Sequence, residues 1–367
     1  MFTLICALAA AAMWVGLLLV PWRPWSTRER LEADPGAEGI DLSEITVLIP
    51  ARNEAEVLGT VLAGLQAQGA GLQVIVVDDQ SGDNTAAIAA SFAHTRVISG
   101  QPLPPGWAGK LWALEQGVRL VQTPITLLLD ADIQLQPGLL PTLLEHKRRE
   151  QRQLVSLMAD LRRTSFWDRL LLPVFVYYFK LLYPFALSNS RQPFVAAAAG
   201  GCILVDTEVL HRIGAFASLR DALIDDCALA RQVKQAGYLT WLGLSRDVVS
   251  LRGYGSLGSI HQMVARSAFT QLGYSTAMLL LVTALFALAY GAPLALLASA
   301  HVWPLAWVAW AAMTISYLPM LRYYRMSWGW SLLLPLSALL YLGMTWSSAL
   351  RYWRGVRSQW KGRIYSH

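Results

Sequence analysis

Charge is scarce in this chain. Only 15% of its 367 residues are Asp, Glu, Lys or Arg, against about 25% in soluble domains. Hydrophobic residues make up 55%, and the mean hydropathy is +0.40. A wholly water-soluble protein is a poor match to that balance, so part of the chain is expected in lipid. The net charge of +6 is modest. No basic stripe interleaves with a soluble-looking segment, so the excess points to a membrane surface rather than to nucleic acid. Cysteine is also rare. Cys6, Cys202 and Cys227 are odd in number and scattered, which argues against a disulfide framework and a zinc site and for reduced thiols in a cytosol-facing protein. His94, His146, His211, His261 and His301 show no metal-ligand spacing.

Long apolar runs are plentiful. Residues 2–20 carry no charge, about the length needed to cross a bilayer as a helix. A cleaved signal peptide would want a basic start and a shorter core, so 1–22 reads as an N-terminal transmembrane anchor. Arg23, Arg28 and Arg30 follow it and place the next segment in the cytoplasm. Three further apolar stretches, 272–292, 294–319 and 330–350, are punctuated by Pro293, Pro304, Pro319 and Pro335. They give about three transmembrane helices within 271–350. Three spans would leave the tail, 351–367, outside. Yet the tail holds Arg351, Arg354, Arg357, Lys361 and Arg363, and the loop before the last stretch holds Arg322 and Arg325. The charge rule favours the inside for both. A re-entrant or interfacial C-terminal stretch would restore it; three spans are expected. Of the 15 tryptophans, most lie near the chain ends, where Trp anchors apolar segments at headgroup level.

Between a linker at 23–43 and the spans the texture changes. Short apolar runs, "ITVLIPA" at 45–51, "LQVIVVDD" at 72–79, "TRVISG" at 95–100 and "ITLLLDADIQL" at 125–135, alternate with helical patterns at 54–68, near 86 onward and 109–121. This is a βαβ layout, so the fold class is α/β, with a mostly parallel sheet flanked by helices and transmembrane helices at both ends of the chain. Asp83 or Asn84 is placed to cap the helix beginning near Ala86.

Open α/β sheets bind ligands beyond the carboxyl ends of their strands. Asp78, Asp79, Asp130 and Asp132 all fall at such ends. Gathered together, the four carboxylates repel one another. A divalent cation, Mg²⁺ or Mn²⁺ beside phosphate, or donors from a ligand, would relieve that repulsion. In extended backbone the side chains of Asp130 and Asp132 would share one side.

The ordered stretches "ITVLIPARNEAEVL", "VIVVDDQSGDNT", "LLLDADIQL", "AGGCILVDTEVLHRIGAF" and "IDDCALARQVKQAG" resemble the family 2 glycosyltransferases of the GT-A fold. The resemblance runs over about 44–270, taken as the catalytic domain. The anchor, "GWAGKLWALEQG" and the apolar tail look like the membrane-bound, lipid-modifying branch, and within it the sequence is similar to the hopene-associated glycosyltransferases. The resemblance implies an inverting, metal-dependent transfer from a nucleotide-sugar, a UDP-sugar, to a membrane lipid such as a hopanoid, isoprenoid or sphingoid lipid. The setting would be the bacterial inner membrane, with the catalytic domain cytoplasmic.

By the same resemblance, Pro50, Ala51, Arg52 and Glu54 line the nucleotide pocket, and Asp78 and Asp79 meet the base or ribose. Lys110 meets a phosphate. Asp130 and Asp132 match the D-x-D motif, with Asp132 the chief metal ligand. Gly200 and Gly201 floor the donor sugar, Asp226 is the catalytic base, and Asp225 supports it. Plainer roles stand beside these: Asp79 as a helix cap, Lys110 as a solvated lysine, Asp225 and Asp226 as helix-dipole partners, "AAAAGG" as a tight turn. The chain departs from the family at the Q-x-x-R-W box. "HQMVARSAF" keeps Gln262 and Arg266 but has Ser267 where Trp would stand, which argues against processive synthesis and leaves Arg266 as the diphosphate ligand in a weakened motif. Residues 166–190 are nearly apolar enough to span. A span there would separate the acidic motifs, so the segment is expected to lie in the interface with Asp168, Arg169 and Lys180 at its polar edge. Two other readings remain: a nucleotidyltransferase-like reaction on the same sheet, and a non-catalytic membrane scaffold that binds nucleotide-sugar or lipid.

Overall fold

The computed structural model describes every residue except 35, 38–39, 221, 223, 356–358, 361–362 and 365–367. Parts of the expected 23–43 linker and 351–367 tail, Arg357 and Lys361 included, therefore lie outside the described residues. The chain divides into two compact units. One holds Glu29–Arg162, Leu187–Gly253 and Arg357–His367; the other holds Met1–Arg28, Arg163–Ala186 and Tyr254–Val356.

The first unit is built on a sheet. Its strands are β1 (Ile45–Ala51), β2 (Gln73–Asp78), β3 (Thr95–Ser99), β4 (Ile125–Leu129), β5 (Ile133–Leu135), β6 (Leu154–Asp160), β7 (Cys202–Asp206) and β8 (Thr240–Ser250). They are ordered β3-β2-β1-β4-β7-β6-β8-β5. The pairs from β3 to β4 are parallel, as is β6 with β8; β7 runs antiparallel to both its neighbours and β5 antiparallel to β8. The mostly parallel α/β sheet expected from the pattern is therefore present, with an antiparallel inset. Parallel strands covered on both faces have to be apolar on both. Accordingly every residue of β1 is buried, and alternate side chains enter different cores. Val47, Ile49 and Ala51 pack with Leu58, Val61 and Leu62 of helix Leu58–Gln66 on one face, while Leu48 packs with Leu111 and Leu114 of helix Gly109–Val118 on the other. Gly117 lets that second helix close on the sheet, because a Cβ there would collide with Leu48 and with Val77.

Two local expectations change. The stretch 125–135 is not one strand: the Ile133 N–H donates to the Asp130 carbonyl at 3.0 Å, closing a turn between β4 and β5. Asp130 and Asp132 thus do not share one side of an extended segment. The helix read over 54–68 is shorter, and residues 52–55 form a loop laced to 79–85. The Asn53 N–H donates to Ser81 Oγ at 3.0 Å, Gly82 N–H to Asn53 Oδ1 at 2.8 Å, and Ala55 N–H to Asp83 Oδ2 at 3.2 Å. Asp83, rather than Asn84, accepts the Thr85 N–H, at 3.1 Å.

The second unit is helical. Four of its helical segments are long and apolar enough to cross a membrane: Phe2–Leu19, Thr276–Leu296, Trp303–Tyr323 and Trp328–Trp353. The segment around 166–190 contributes helix Phe166–Leu182 to this unit. Asp168 and Lys180 do not edge it; both are fully buried. Asp168 takes part in a capping box with Ser165 and also accepts the Gly255 N–H at 3.0 Å, while the Lys180 ammonium lies 3.5 Å from the centre of the Phe185 ring. A buried carboxylate is stable when N–H groups satisfy it, and this one ties the start of helix Phe166–Leu182 to the chain entering helix Leu257–Gln271.

Candidate active site

The carboxyl ends of β1, β2 and β4 and the loop before β7 bring the expected acids to one side of the sheet unit. Lys110 stands at the first turn of helix Gly109–Val118. Its Nζ lies 2.6 Å from Asp130 Oδ1, 3.9 Å from Asp225 Oδ2 and 3.4 Å from the Gly200 carbonyl. It is therefore no solvated surface lysine. Asp225 and Asp226 open helix Asp225–Gln235, where negative charge is favoured by the helix dipole. Asp226 is fixed further: Oδ2 accepts the Gly200 N–H at 2.8 Å and Oδ1 accepts the Cys227 N–H at 2.7 Å. Gly200 allows a close approach here. A Cβ at this position would lie 3.2 Å from Asp226 Oδ2 and 3.4 Å from Lys110 Nζ. The Gly201 carbonyl accepts the Asp130 N–H at 3.1 Å, so the "GG" pair positions both acids.

Burial, and then the charge of Asp225, push the Asp226 carboxyl up to about 6, against the pull of Lys110 and the two N–H donors. Burial also raises Asp130; Lys110 pulls it back, and Asp132 and Asp225 add to the rise. Asp132 is raised by burial and by Glu54, with Arg252 and Lys110 opposing. For Lys110, burial disfavours the charge, but Asp130, Asp225 and Asp226 outweigh it and hold the ammonium above the usual lysine range. The result is a permanent cation near Asp130, Asp132 and Asp226, whose carboxyls burial drives toward the neutral form. An open pocket of about 340 Å³, its mouth included, lies beside this cluster; Pro50, Lys110, Asp130, Gly200, Asp225 and Asp226 line it together with Leu111, Phe216 and Leu219.

The nucleotide-side residues divide. Asp78 Oδ2 accepts the Ser81 N–H at 3.3 Å, whereas Oδ1 is buried without a hydrogen-bond partner. Asp79 is fully buried, its N–H donating to the Ala51 carbonyl at 2.8 Å. Arg52 is folded back onto this turn: Nη1 donates to the Asp79 carbonyl, reaches the Gln80 carbonyl at 3.2 Å and lies 3.9 Å from Asp79 Oδ2. Glu54 is buried and ion-paired with Arg252, whose Nε lies 3.9 Å from Asp132 Oδ2. Arg266 sits exposed on helix Leu257–Gln271, in the helical unit.

Sequence reasoning missed Arg252. It follows β8, and that strand was not recognised, although its position just beyond a strand end is the available signal. Glu115 was missed as well. Buried in the first helix after β3, its Oε2 accepts the N–H groups of Phe216 and Ala217 at 3.1 and 3.2 Å and so secures one wall of the pocket. Among the described residues no three His, Cys, Asp or Glu side chains converge as a metal cluster. Asp130 and Asp132, half-buried, mutually repelling and on one turn, suit a cation that takes its remaining ligands from phosphate and water.

A doubly covered, mostly parallel sheet with acids at its strand ends, beside a helix that opens on Asp225 and Asp226, is a GT-A-type fold. Residues 46–214, somewhat under half of the chain, match Glycosyl transferase family 2. It is 34% identical over 112 residues, 30% of each chain, to a 4,4'-diaponeurosporenoate glycosyltransferase of Staphylococcus haemolyticus. It is 37% identical over 99 residues, 27% of this chain and 41% of the other, to an uncharacterized glycosyltransferase of Mycobacterium bovis. The chain thus spans well under half the length of these curated relatives. In fold it is similar to a mannosyltransferase from Pyrobaculum calidifontis, solved with GDP-mannose and Mn²⁺, with a TM-score of 0.55 at 18% identity over 95% of this chain and 98% of that one.

Proposed function

We propose that this protein is an inverting, metal-dependent glycosyltransferase that moves a sugar from a nucleotide-sugar, a UDP-sugar, to the hydroxyl of a membrane lipid of hopanoid or related isoprenoid or sphingoid type. The observation that carries it is Asp226: a carboxylate at about pKa 6, held by the Gly200 and Cys227 N–H groups and backed by Asp225 and Lys110. Inverting transfer needs one base, and this group is poised for it. Asp226 takes the proton of the acceptor hydroxyl as that oxygen attacks the anomeric carbon, and no sugar–enzyme bond forms. Asp225 supports the arrangement through its ion pair with Lys110.

Asp78, with an unsatisfied buried oxygen, accepts from a uracil N–H or a ribose hydroxyl. Lys110 meets the diphosphate as a point charge on its leaving side. Asp132, with Asp130, would hold Mg²⁺ or Mn²⁺, which when bound neutralises the departing diphosphate. Arg266, on the exposed side of its helix, is the remaining candidate for a phosphate contact. The lipid acceptor is supported by the four membrane-length helices and by the staphylococcal relative, named for 4,4'-diaponeurosporenoate. The Arg residues after the first apolar helix support a cytoplasmic site, in this reading at the bacterial inner membrane.

The test is purified protein with UDP-sugars, a lipid extract and Mn²⁺ or Mg²⁺. UDP release with a glycolipid product is expected. Pyrophosphate release with the nucleotide retained on the product would establish the nucleotidyltransferase instead, and donor binding without turnover the scaffold. Lipid profiles of a deletion strain identify the acceptor, with loss of a glycosylated hopanoid the expected outcome.

A further inference from the structure

Residues 189–201 lead into β7 and form neither helix nor strand, although Ala196, Ala197, Ala198 and Ala199 are buried. A buried stretch outside any ladder has to find other partners for its carbonyls. Helix Asp225–Gln235 supplies one. Lys234, in its last turn, is buried, and its Nζ donates to the carbonyls of Ser188, Gln192 and Val195 at 2.8, 2.7 and 2.7 Å. The Leu187 carbonyl stands a little further off, at 3.5 Å. Three carbonyls occupy all three donors of an ammonium.

The charge that bears on Lys234 is another cation, Arg152, itself turned to the Asn189 and Thr240 carbonyls at 2.8 and 3.2 Å. Burial, and then Arg152, lower the Lys234 pKa to about 8, which leaves the group charged at neutral pH. A buried cation held by dipoles alone costs stability. A methionine would fill the space at lower cost. What the ammonium adds is direction, because it gathers three carbonyls from set positions along one strap of chain.

The same helix meets that strap at two further points. Asp226 Oδ2 accepts the Gly200 N–H at 2.8 Å, and the Cys227 thiol lies 3.8 Å from the Ala198 carbonyl. Over the stretch of helix from Asp226 to Lys234, about 12 Å, the strap runs back from Gly200 to Ser188. Strap and helix are therefore antiparallel and fastened at both ends. The strap is also tied to the sheet: Ser156 Oγ of β6 accepts the Ala199 N–H at 2.8 Å and donates to the Ala199 carbonyl at 3.1 Å. With the strap held by β6, Lys234 holds the helix to the strap. A helix free to slide would carry Asp226 off the Gly200 N–H, one of the two donors that oppose the rise of its pKa.

We propose that Lys234 is a positioning residue for Asp226: by gathering the Ser188, Gln192 and Val195 carbonyls it sets the register of helix Asp225–Gln235 on residues 188–200, and with it the approach of Asp226 to Gly200. Its effect on turnover rests on the reading of Asp226 as the base; the register does not.

Lys234→Met in the full chain, in detergent, tests this. Hydrogen exchange over 196–201 should speed up by about 10-fold or more, as a local opening does, while the β1 peptide, 45–51, stays unchanged. In turnover, kcat should fall about 10-fold, the scale of a sub-ångström misplacement, with the donor KM unchanged. The acid limb of kcat/KM should move above its wild-type position near pH 6, since Asp226 loses a donor that favours its charged form. In an Asp226→Asn background the same substitution should lower kcat no further, because both changes act through one group. Unchanged exchange over 196–201, an acid limb left in place, or an equal loss in both backgrounds overturns the proposal. If the methionine variant does not fold, Lys234→Gln, which keeps two N–H donors, carries the same readouts with smaller shifts. Global unfolding of both variants would make the lysine a requirement of the fold and overturn the positioning role. Exchange reads the register without turnover, so its failure and that of the proposed reaction are separately visible.

Discussion

Lys110 Nζ stands 2.6 Å from Asp130 Oδ1, and this contact joins the helix after β3 to the acid that ends β4. Under the proposed function it holds a cation for the leaving diphosphate. Lys110→Ala should reduce kcat by about 10²–10³-fold, the usual cost of losing a preorganised electrostatic contact. Donor turnover measured beside a thermal unfolding scan checks it; a drop below tenfold would show that the lysine only balances charge.

Asp226 should control the acid limb of the pH profile. Its pKa is raised to about 6, so the base is ionised above that pH and becomes protonated as pH falls through it. The wild-type kcat/KM is expected to decline below about pH 6 and to stay level from there toward 8. Asp226→Asn should cost about 10²–10⁴-fold in kcat, the range for a lost general base, and should flatten the limb. Full activity in that variant would remove Asp226 from the mechanism.

Gly200→Ala tests close approach. The added methyl meets Asp226 Oδ2 at 3.2 Å and Lys110 Nζ at 3.4 Å, so one of the two has to shift. A shift of a few tenths of an ångström should cost about 10-fold in rate, less than the ~10²-fold of a full ångström. Stability should change little, because both contacts are to side-chain ends and not to backbone, and circular dichroism with a turnover assay separates the two effects.

Arg252 should set the metal requirement. It neutralises Glu54 and lies 3.9 Å from Asp132 Oδ2. Arg252→Ala removes a cation that competes with a divalent ion, so the half-saturating Mn²⁺ should fall by about 10-fold or more, the scale of outer-shell effects on metal sites. Metal titration of initial rates reads this directly, and an unchanged titration curve would place the metal elsewhere.

Glu115 gives a stability prediction without a catalytic one. Glu115→Ala leaves the N–H groups of Phe216 and Ala217 without their acceptor. Unsatisfied buried donors cost about 1–3 kcal/mol each. Denaturant unfolding in detergent should show a loss on that order, with Lys110 and Asp226 variants less affected.

The chemistry-bearing residues were legible because they follow local rules. Apolar runs ended by Asp78, Asp79 and Asp130 announce strand ends, and strand ends are where such sheets bind. Asp132 misled: an i, i+2 pair reads as one-sided in a strand, but the Ile133 N–H to Asp130 carbonyl bond turns the chain. Arg252 and Glu115 had no local signature, since their partners lie 198 and 101 residues away.

By itself the sequence determined the apolar segments, the βαβ rhythm and which acids stand at strand ends, because each depends on neighbours within about a dozen positions. Only the tertiary structure decided that Lys110 pairs with Asp130, that Gly200 holds Asp226, and that the last apolar helix lies along Phe166–Leu182 and Leu257–Gln271. Those are contacts between segments far apart in the chain, and packing and hydrogen bonding choose them only once the whole fold has closed.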